Sequence, residues 1–273
     1  MCPNCRAFIS TDDKVCPYCD MKLGARSIDR RVSSGVGFIA GPRFTTVVIL
    51  LVNAGLYVAT TLYSMNTSGG PALDVDGRTL AIFGAKVPSL IAAGQWWRLI
   101  TAGFLHGGVM HILMNSWVIF DLGTTAEEFY GTSRYLVIYF LSTIGGFIVS
   151  TWWSPAMSVG ASAALFGLIG AMIAFGLKGR GTSMGQAMRA HYTQWALWGL
   201  AMGFLPGFRT DNAAHIGGLL TGLVLGYAAG TPPLFDRWTE KAWKWAAAIC
   251  VLITIAAFVK MVLFLLTVSN AAQ

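Results

Sequence analysis

The stretch HGGVMHILMN opens an apolar run with His106, His111 and Asn115. Such polar groups are costly in hydrocarbon, and ionisable side chains inside a membrane span are functional candidates by default. Two further apolar runs open on reactive residue types: VGASAALFG carries Ser162, and DNAAHIGGLLTGLVLG carries His215. A serine hydroxyl within hydrogen-bonding reach of an imidazole is a nucleophile beside a general base. His111 and Asn115, four residues apart, share one face of a helix and offer hydrogen-bond donors. Each feature also has a plainer explanation. Ser162 between Gly160 and alanines suits small-residue packing in lipid, and His215 suits a hydrogen-bonded structural histidine.

What favours chemistry is that the three elements coincide in depth. Of 273 residues, 55% are hydrophobic and 11% charged, against about a quarter charged in soluble domains. With a mean hydropathy of +0.61, this is the composition of an all-α polytopic membrane protein. Apolar runs of spanning length fall at about 44–65, 107–123, 133–153, 162–178, 189–206, 212–230 and 245–268. The first begins far from Met1 and is expected to stay in the mature chain rather than leave as a signal peptide. Placing the N-terminus inside puts Lys14, Lys22, Arg26, Arg30, Arg31, Arg43, Arg134, Lys178, Arg180, Arg189, Arg237, Lys241 and Lys244 on the inner side. Only Arg78, Lys86, Arg98 and Arg209 then fall outside, as the positive-inside rule favours. The net charge of +7 is accounted for in this way, and no nucleic-acid partner is expected. The second, fourth and sixth spans then all start at the outer surface, where His106, His111, Asn115, Ser162 and His215 meet. Gly218, Gly222 and Gly226, every fourth residue, form a smooth stripe beside His215, while Gly167 and Gly170 are small positions on the serine helix. Close packing of these two helices would bring a His215 nitrogen to Ser162 Oγ.

Between the first two spans, residues 66–106 read as a structured outer loop lying in the membrane interface. Trp96 and Trp97 beside Arg98 suit the headgroup zone. At the N-terminus CPNC and CPYC place Cys2, Cys5, Cys16 and Cys19 as two CxxC pairs, the spacing of a four-thiolate zinc knuckle. Two disulfides are the alternative, in an oxidising compartment. The segment is too small for a core of its own, so bound zinc would supply its folding energy. Residues 1–24 are thus read as a zinc-ribbon-like module and 25–43 as a basic linker. Cys250, alone in the last run, reads as an inert buried side chain.

Together the motifs WR (Trp97, Arg98), HGGVMHILMN, GASAALFG and AHIGGLLTG resemble those of the rhomboid intramembrane serine proteases, in the same order. The resemblance implies a six-helix rhomboid core over 44–230, followed in 231–273 by a linker and a seventh transmembrane helix. It implies a Ser–His dyad without an orienting aspartate, with Ser162 as nucleophile and His215 as base and then acid. His111, Asn115 and the Ser162 backbone N–H match the oxyanion hole, His106 a supporting histidine, and Phe166 the aromatic ring that packs on the imidazole, where many relatives have tyrosine. No cofactor is implied for catalysis. The substrates implied are transmembrane segments of other proteins, cut near their outer ends in the lipid bilayer. A prokaryotic plasma membrane is the expected location, with a cytoplasmic N-terminus, the active site open to the outer face, and any partner of the zinc module unassigned. The main alternative is an inactive rhomboid-like protein that binds membrane helices, against which the presence of both Ser162 and His215 speaks. A transporter lacks inverted repeats and an embedded acidic residue, and a metalloprotease lacks HExxH.

Overall fold

The computed structural model describes residues 15–21, 43–69, 73–205, 210–230 and 237–271. The chain divides into two compact units, Met1–Gly41 and Pro42–Gln273. In the first, Cys16–Met21 form a turn closed by the Asp20 N–H on the Cys16 carbonyl (3.0 Å) and the Cys16 N–H on that of Met21 (2.9 Å). Cys2, Cys5 and most of the linker assigned to 25–43 lie outside the described residues.

The second unit is helical, with no strand among its described residues. Its helices are α1 (Phe44–Ser68), the short α2 (Gly77–Ile82), α3 (Pro88–Ala92) and α4 (Arg98–Thr101), then α5 (Val109–Val118), α6 (Thr124–Trp153), α7 (Ser162–Lys178), α8 (Ser183–Met202), α9 (Asn212–Ala229) and α10 (Arg237–Ala271). By length and composition three stretches can cross a membrane, Phe44–Ser68, Val109–Trp153 and Trp238–Val268, and Ser162–Lys178 is a shorter apolar helix. The middle stretch runs through a π-helical segment, Ile119–Gly123, and is about twice the length that one crossing needs. Gly131 breaks it, with φ +74° and ψ 155°, a conformation that a side chain would strain. The stretch is therefore two helical arms meeting at Gly131, which lies between the second and third runs read from the sequence. The last helix is also longer than its apolar run, starting at Arg237 instead of about 245. Its extra turns allow Glu240 to pair with the buried Arg134 of α6 at 2.7 Å.

At the centre lies α7, whose side chains are apolar nearly all round and nearly all buried, as a helix enclosed by others requires. It packs against α6, α8 and most closely α9. The glycine stripe makes that last contact a backbone one. A Cβ at Gly218 would collide with the Ala163 carbonyl and one at Gly222 with that of Gly167, while at Gly226 it would lie 2.6 Å from Ala171 Cα. On the facing helix, Gly170 abuts the backbone of Leu219 and Leu223.

The segment 73–108 is a folded layer, with its own apolar cluster of Val75, Leu80, Phe83, Ala85 and Leu105. Asp76 organises it by capping α2 through the N–H groups of Arg78 and Thr79 and accepting from the hydroxyls of Ser64, Ser68 and Thr79. Burial opposes the Asp76 charge, but the Thr79, Ser64 and Ser68 hydrogen bonds outweigh it and hold the carboxyl far below the usual range. Of the two readings of Trp97–Arg98, headgroup anchor or part of a structured outer loop, the pair takes the second. Trp97 is 5% exposed and Arg98 fully buried. The guanidinium bonds Gln95 Oε1 (2.7 Å) and the carbonyls of Ala81 (2.7 Å) and Ala85 (2.9 Å). It lies over the Trp97 ring at 4.6 Å and that of Phe264, from α10, at 5.3 Å. The loop carbonyls need a donor more than a lipid headgroup needs a cation, so Arg98 turns inward; Trp96, 44% exposed, is left facing out.

The α7–α9 contact yields a direct test. Gly222→Val should destabilise the protein by more than the usual ~1–3 kcal/mol of overpacking, because the obstacle is backbone. Gly55→Ala, with open space around it, should leave the unfolding midpoint in detergent unchanged.

Candidate active site

Ser162 is the first residue of α7. The chain reaches it through Gly160, whose φ of +129° disfavours any residue with a side chain. Its N–H is tied to the Ala102 carbonyl at 2.9 Å. A Cβ at Gly160 would lie 2.6 Å from His111 Nε2 and 3.5 Å from Asn115 Nδ2. A bare backbone thus brings the start of α7 against the two polar side chains of α5.

His215 lies one turn inside α9, its N–H on the Asp211 carbonyl at 3.0 Å. Its Nε2 is 2.9 Å from Ser162 Oγ, the contact expected from the glycine spacing. With Oγ–H donating to Nε2, the hydroxyl proton already points at its acceptor. The imidazole stacks on Phe166 with ring centroids 4.2 Å apart and planes 12° off parallel. Phe166 has room because α8 presents Gly199, where a Cβ would meet the ring at 2.6 Å. His215 is 5% exposed and its Nδ1 has no hydrogen-bond partner, so the aromatic face and the packing hold the ring.

Asn115 is buried, and its Nδ2 makes no hydrogen bond. An orphaned buried donor costs about 1–3 kcal/mol, and such exceptions gather where a protein handles charge. His106, fully buried, meets the His111 ring edge-on at 5.0 Å and 65°, behind the face that His111 turns to Gly160. The structure therefore brings together Ser162, His215, Phe166, His111, Asn115 and His106. Trp97 and Arg98 stand apart from them, inside the outer layer. Cys16 and Cys19 share the turn of the first unit, and among the described residues no group of three or more His, Cys, Asp or Glu side chains is placed to hold a metal. Gly160, Gly199 and Asp211 contribute to the site without having been marked by the sequence. Of these only Asp211 carried a local clue, an acidic residue four positions before the histidine, fit to cap its helix.

The chain is 40% identical over 154 residues to Rhomboid protease GluP of Bacillus subtilis (strain 168), covering 56% of this chain and 30% of the relative. It is 37% identical over 150 residues to Rhomboid-like protease 3 of Toxoplasma gondii, covering 54% and 57%. With Rhomboid-like protease 1 of the same organism it shares 29% identity over 262 residues, 90% of this chain and 88% of the relative. The chain thus spans less than two thirds of the length of the first two. The rhomboid domain matches residues 93–232, just over half of the chain and the part in which the histidine pair, Ser162 and His215 converge. A multi-pass integral membrane protein built around that domain, this chain belongs to the rhomboid family.

Proposed function

We propose that the protein is an intramembrane serine endopeptidase that hydrolyses peptide bonds in or near transmembrane helices of other membrane proteins. The observation that carries this reading is the 2.9 Å contact between His215 Nε2 and Ser162 Oγ, with the imidazole stacked on Phe166. Ser162 Oγ attacks the scissile carbonyl while His215 Nε2 takes its proton. The oxyanion that forms takes hydrogen bonds from the Ser162 backbone N–H, Asn115 Nδ2 and His111. His215 then gives its proton to the leaving amine; in deacylation it takes a proton from water as the water attacks the acyl carbonyl, and returns it to Ser162 Oγ as that oxygen leaves. No cofactor enters these steps.

In this reading α1, the two halves of the bent α5–α6 stretch, α7, α8 and α9 are the six core spans, and α10 is the added seventh. The N-terminus is cytoplasmic, the site opens to the outer face, and a prokaryotic plasma membrane is the setting. Water reaches the dyad from that face, since hydrolysis cannot proceed in hydrocarbon. A substrate helix must unwind locally to offer its carbonyl, so small or helix-breaking residues mark the cut.

Cys16 and Cys19, three apart on a turn closed by two backbone hydrogen bonds, have the spacing and bend of half a zinc knuckle. With Cys2 and Cys5 they would hold a structural zinc that supplies folding energy to the module. Purified protein is expected to carry one zinc per chain by elemental analysis. Cys16→Ser should lose that zinc while the membrane unit still unfolds at its usual temperature; a full zinc complement in Cys16→Ser would refute the assignment.

Cleavage of a single-span substrate in liposomes tests the main reading. Activity is expected in the wild type and absent in Ser162→Ala and His215→Ala. Binding of the substrate without cleavage by the wild type would favour an inactive helix-binding protein. Asn115→Ala should lower kcat by about 10²–10³, the usual effect of deleting one oxyanion donor, with little change in KM.

A further inference from the structure

Two charged residues that do not contact Ser162 hold the segments from which the serine and histidine helices start. Asp211 is the residue before α9, and each of its carboxylate oxygens has a separate task. Oδ1 caps α9 by accepting from the Ala214 N–H at 3.0 Å. Oδ2 accepts from the hydroxyl of Ser150, a fully buried residue near the end of α6. The histidine helix is thus fastened at its first turn to α6, one turn before His215.

Lys86 does the corresponding work for the serine helix. It is fully buried in the outer layer, and its Nζ donates to the carbonyls of Ser154 (2.9 Å) and Ala156 (2.8 Å). Its backbone exchanges two hydrogen bonds with Ser158, N–H to carbonyl at 3.0 and 3.1 Å. Four bonds from one residue therefore fix the segment that leads to Gly160 and Ser162. Burial pushes the Lys86 ammonium down from its usual range, and the charge of Asp211 opposes that shift. Burial likewise works against the Asp211 carboxylate, but the Ser150 and Ala214 hydrogen bonds and the Lys86 charge outweigh it and hold the carboxyl below its ordinary value.

We propose that Lys86 and Asp211 are positioning residues for the hydrolytic reaction, setting the Ser162 and His215 helix starts in one register by fastening both to the end of α6, Asp211 at Ser150 and Lys86 at the carbonyls of Ser154 and Ala156. This rests on the reading of Ser162 and His215 as a hydrolytic pair. A glycine-lined backbone contact fixes how close α7 and α9 come, whereas sliding of one along the other would still separate Oγ from Nε2. These anchors on α6, lying at the ends where both helices begin, resist that sliding.

The test uses the full chain in detergent micelles and a fluorophosphonate that modifies an activated serine, read as the rate of Ser162 labelling per folded molecule, with Ser162→Ala as the blank. Asp211→Ala and Lys86→Met should each slow labelling and lower kcat on a model substrate by about 10- to 100-fold, the scale set by a misplacement of up to about 1 Å, while KM stays within twofold. Asp211→Asn should recover most of the loss, because its amide can cap α9 and still pair with Ser150. Should the alanine variant not fold, Ser150→Ala takes its place and should slow labelling in the same way. Labelling of folded Asp211→Ala, Lys86→Met or Ser150→Ala within twofold of wild type would overturn the inference, as would an asparagine variant no better than alanine. Absence of labelling in the wild type would instead overturn the hydrolytic reading beneath it.

Discussion

The α7–α9 contact is the constraint on which the rest of the structure depends. Helices separated by ordinary side chains lie about 8–10 Å apart. Here a Cβ at Gly218 or Gly222 has no room, because the carbonyls of Ala163 and Gly167 stand in its place. In lipid there is little hydrophobic gain from joining two apolar helices, so close van der Waals contact between backbones is what holds them. The same contact places a histidine one turn into α9 against a serine at the start of α7. Stability and site geometry therefore draw on a single set of glycines.

A second requirement shapes everything at the outer end. Backbone that leaves the helix near a membrane must still satisfy its N–H and C=O groups. The layer of 73–108 does so with charged side chains turned inward: Arg98 serves the carbonyls of Ala81 and Ala85, Lys86 those of Ser154 and Ala156. Asp76 meets N–H groups and hydroxyls in the same manner. Two of the four cations counted by composition as outer-surface charges, Lys86 and Arg98, are structural donors in this fold. The last helix completes the arrangement from the other side, with Phe264 against the Arg98 guanidinium and Glu240 paired with Arg134, so one long helix reaches both the outer layer and α6.

Much of this was legible from residue types. Three polar helix starts at one depth, a four-residue glycine spacing and an i, i+4 histidine–asparagine pair follow from periodicity and topology alone, and the Ser162–His215 approach was deducible from them. Other features had no local signature. Nothing around Gly160 announces a positive φ, nor does Gly199 reveal that an aromatic ring will occupy its missing side chain. The break at Gly131 falls between the second and third runs, in the polar stretch EEFYGTSR, but its exact position and its positive φ had no local mark. Whether Trp97 and Arg98 anchor at a lipid interface or build the outer loop stayed open, because an aromatic–basic pair has the same composition in both places.

By itself, then, the sequence determined which segments must be helical and apolar, which ends carry polar groups and which faces can approach closely, since these depend on spacing along one helix and on the cost of polar groups in lipid. The tertiary structure decided which partner each polar group meets. Whether Lys86 faces solvent or two carbonyls, or Asp211 caps a helix alone or also holds Ser150, depends on atoms 60 to 70 residues away in the chain. Hydrogen bonding acts over about 3 Å and is directional. Periodicity can bring such groups to the same end of a bundle, but only the packed backbone sets that last distance.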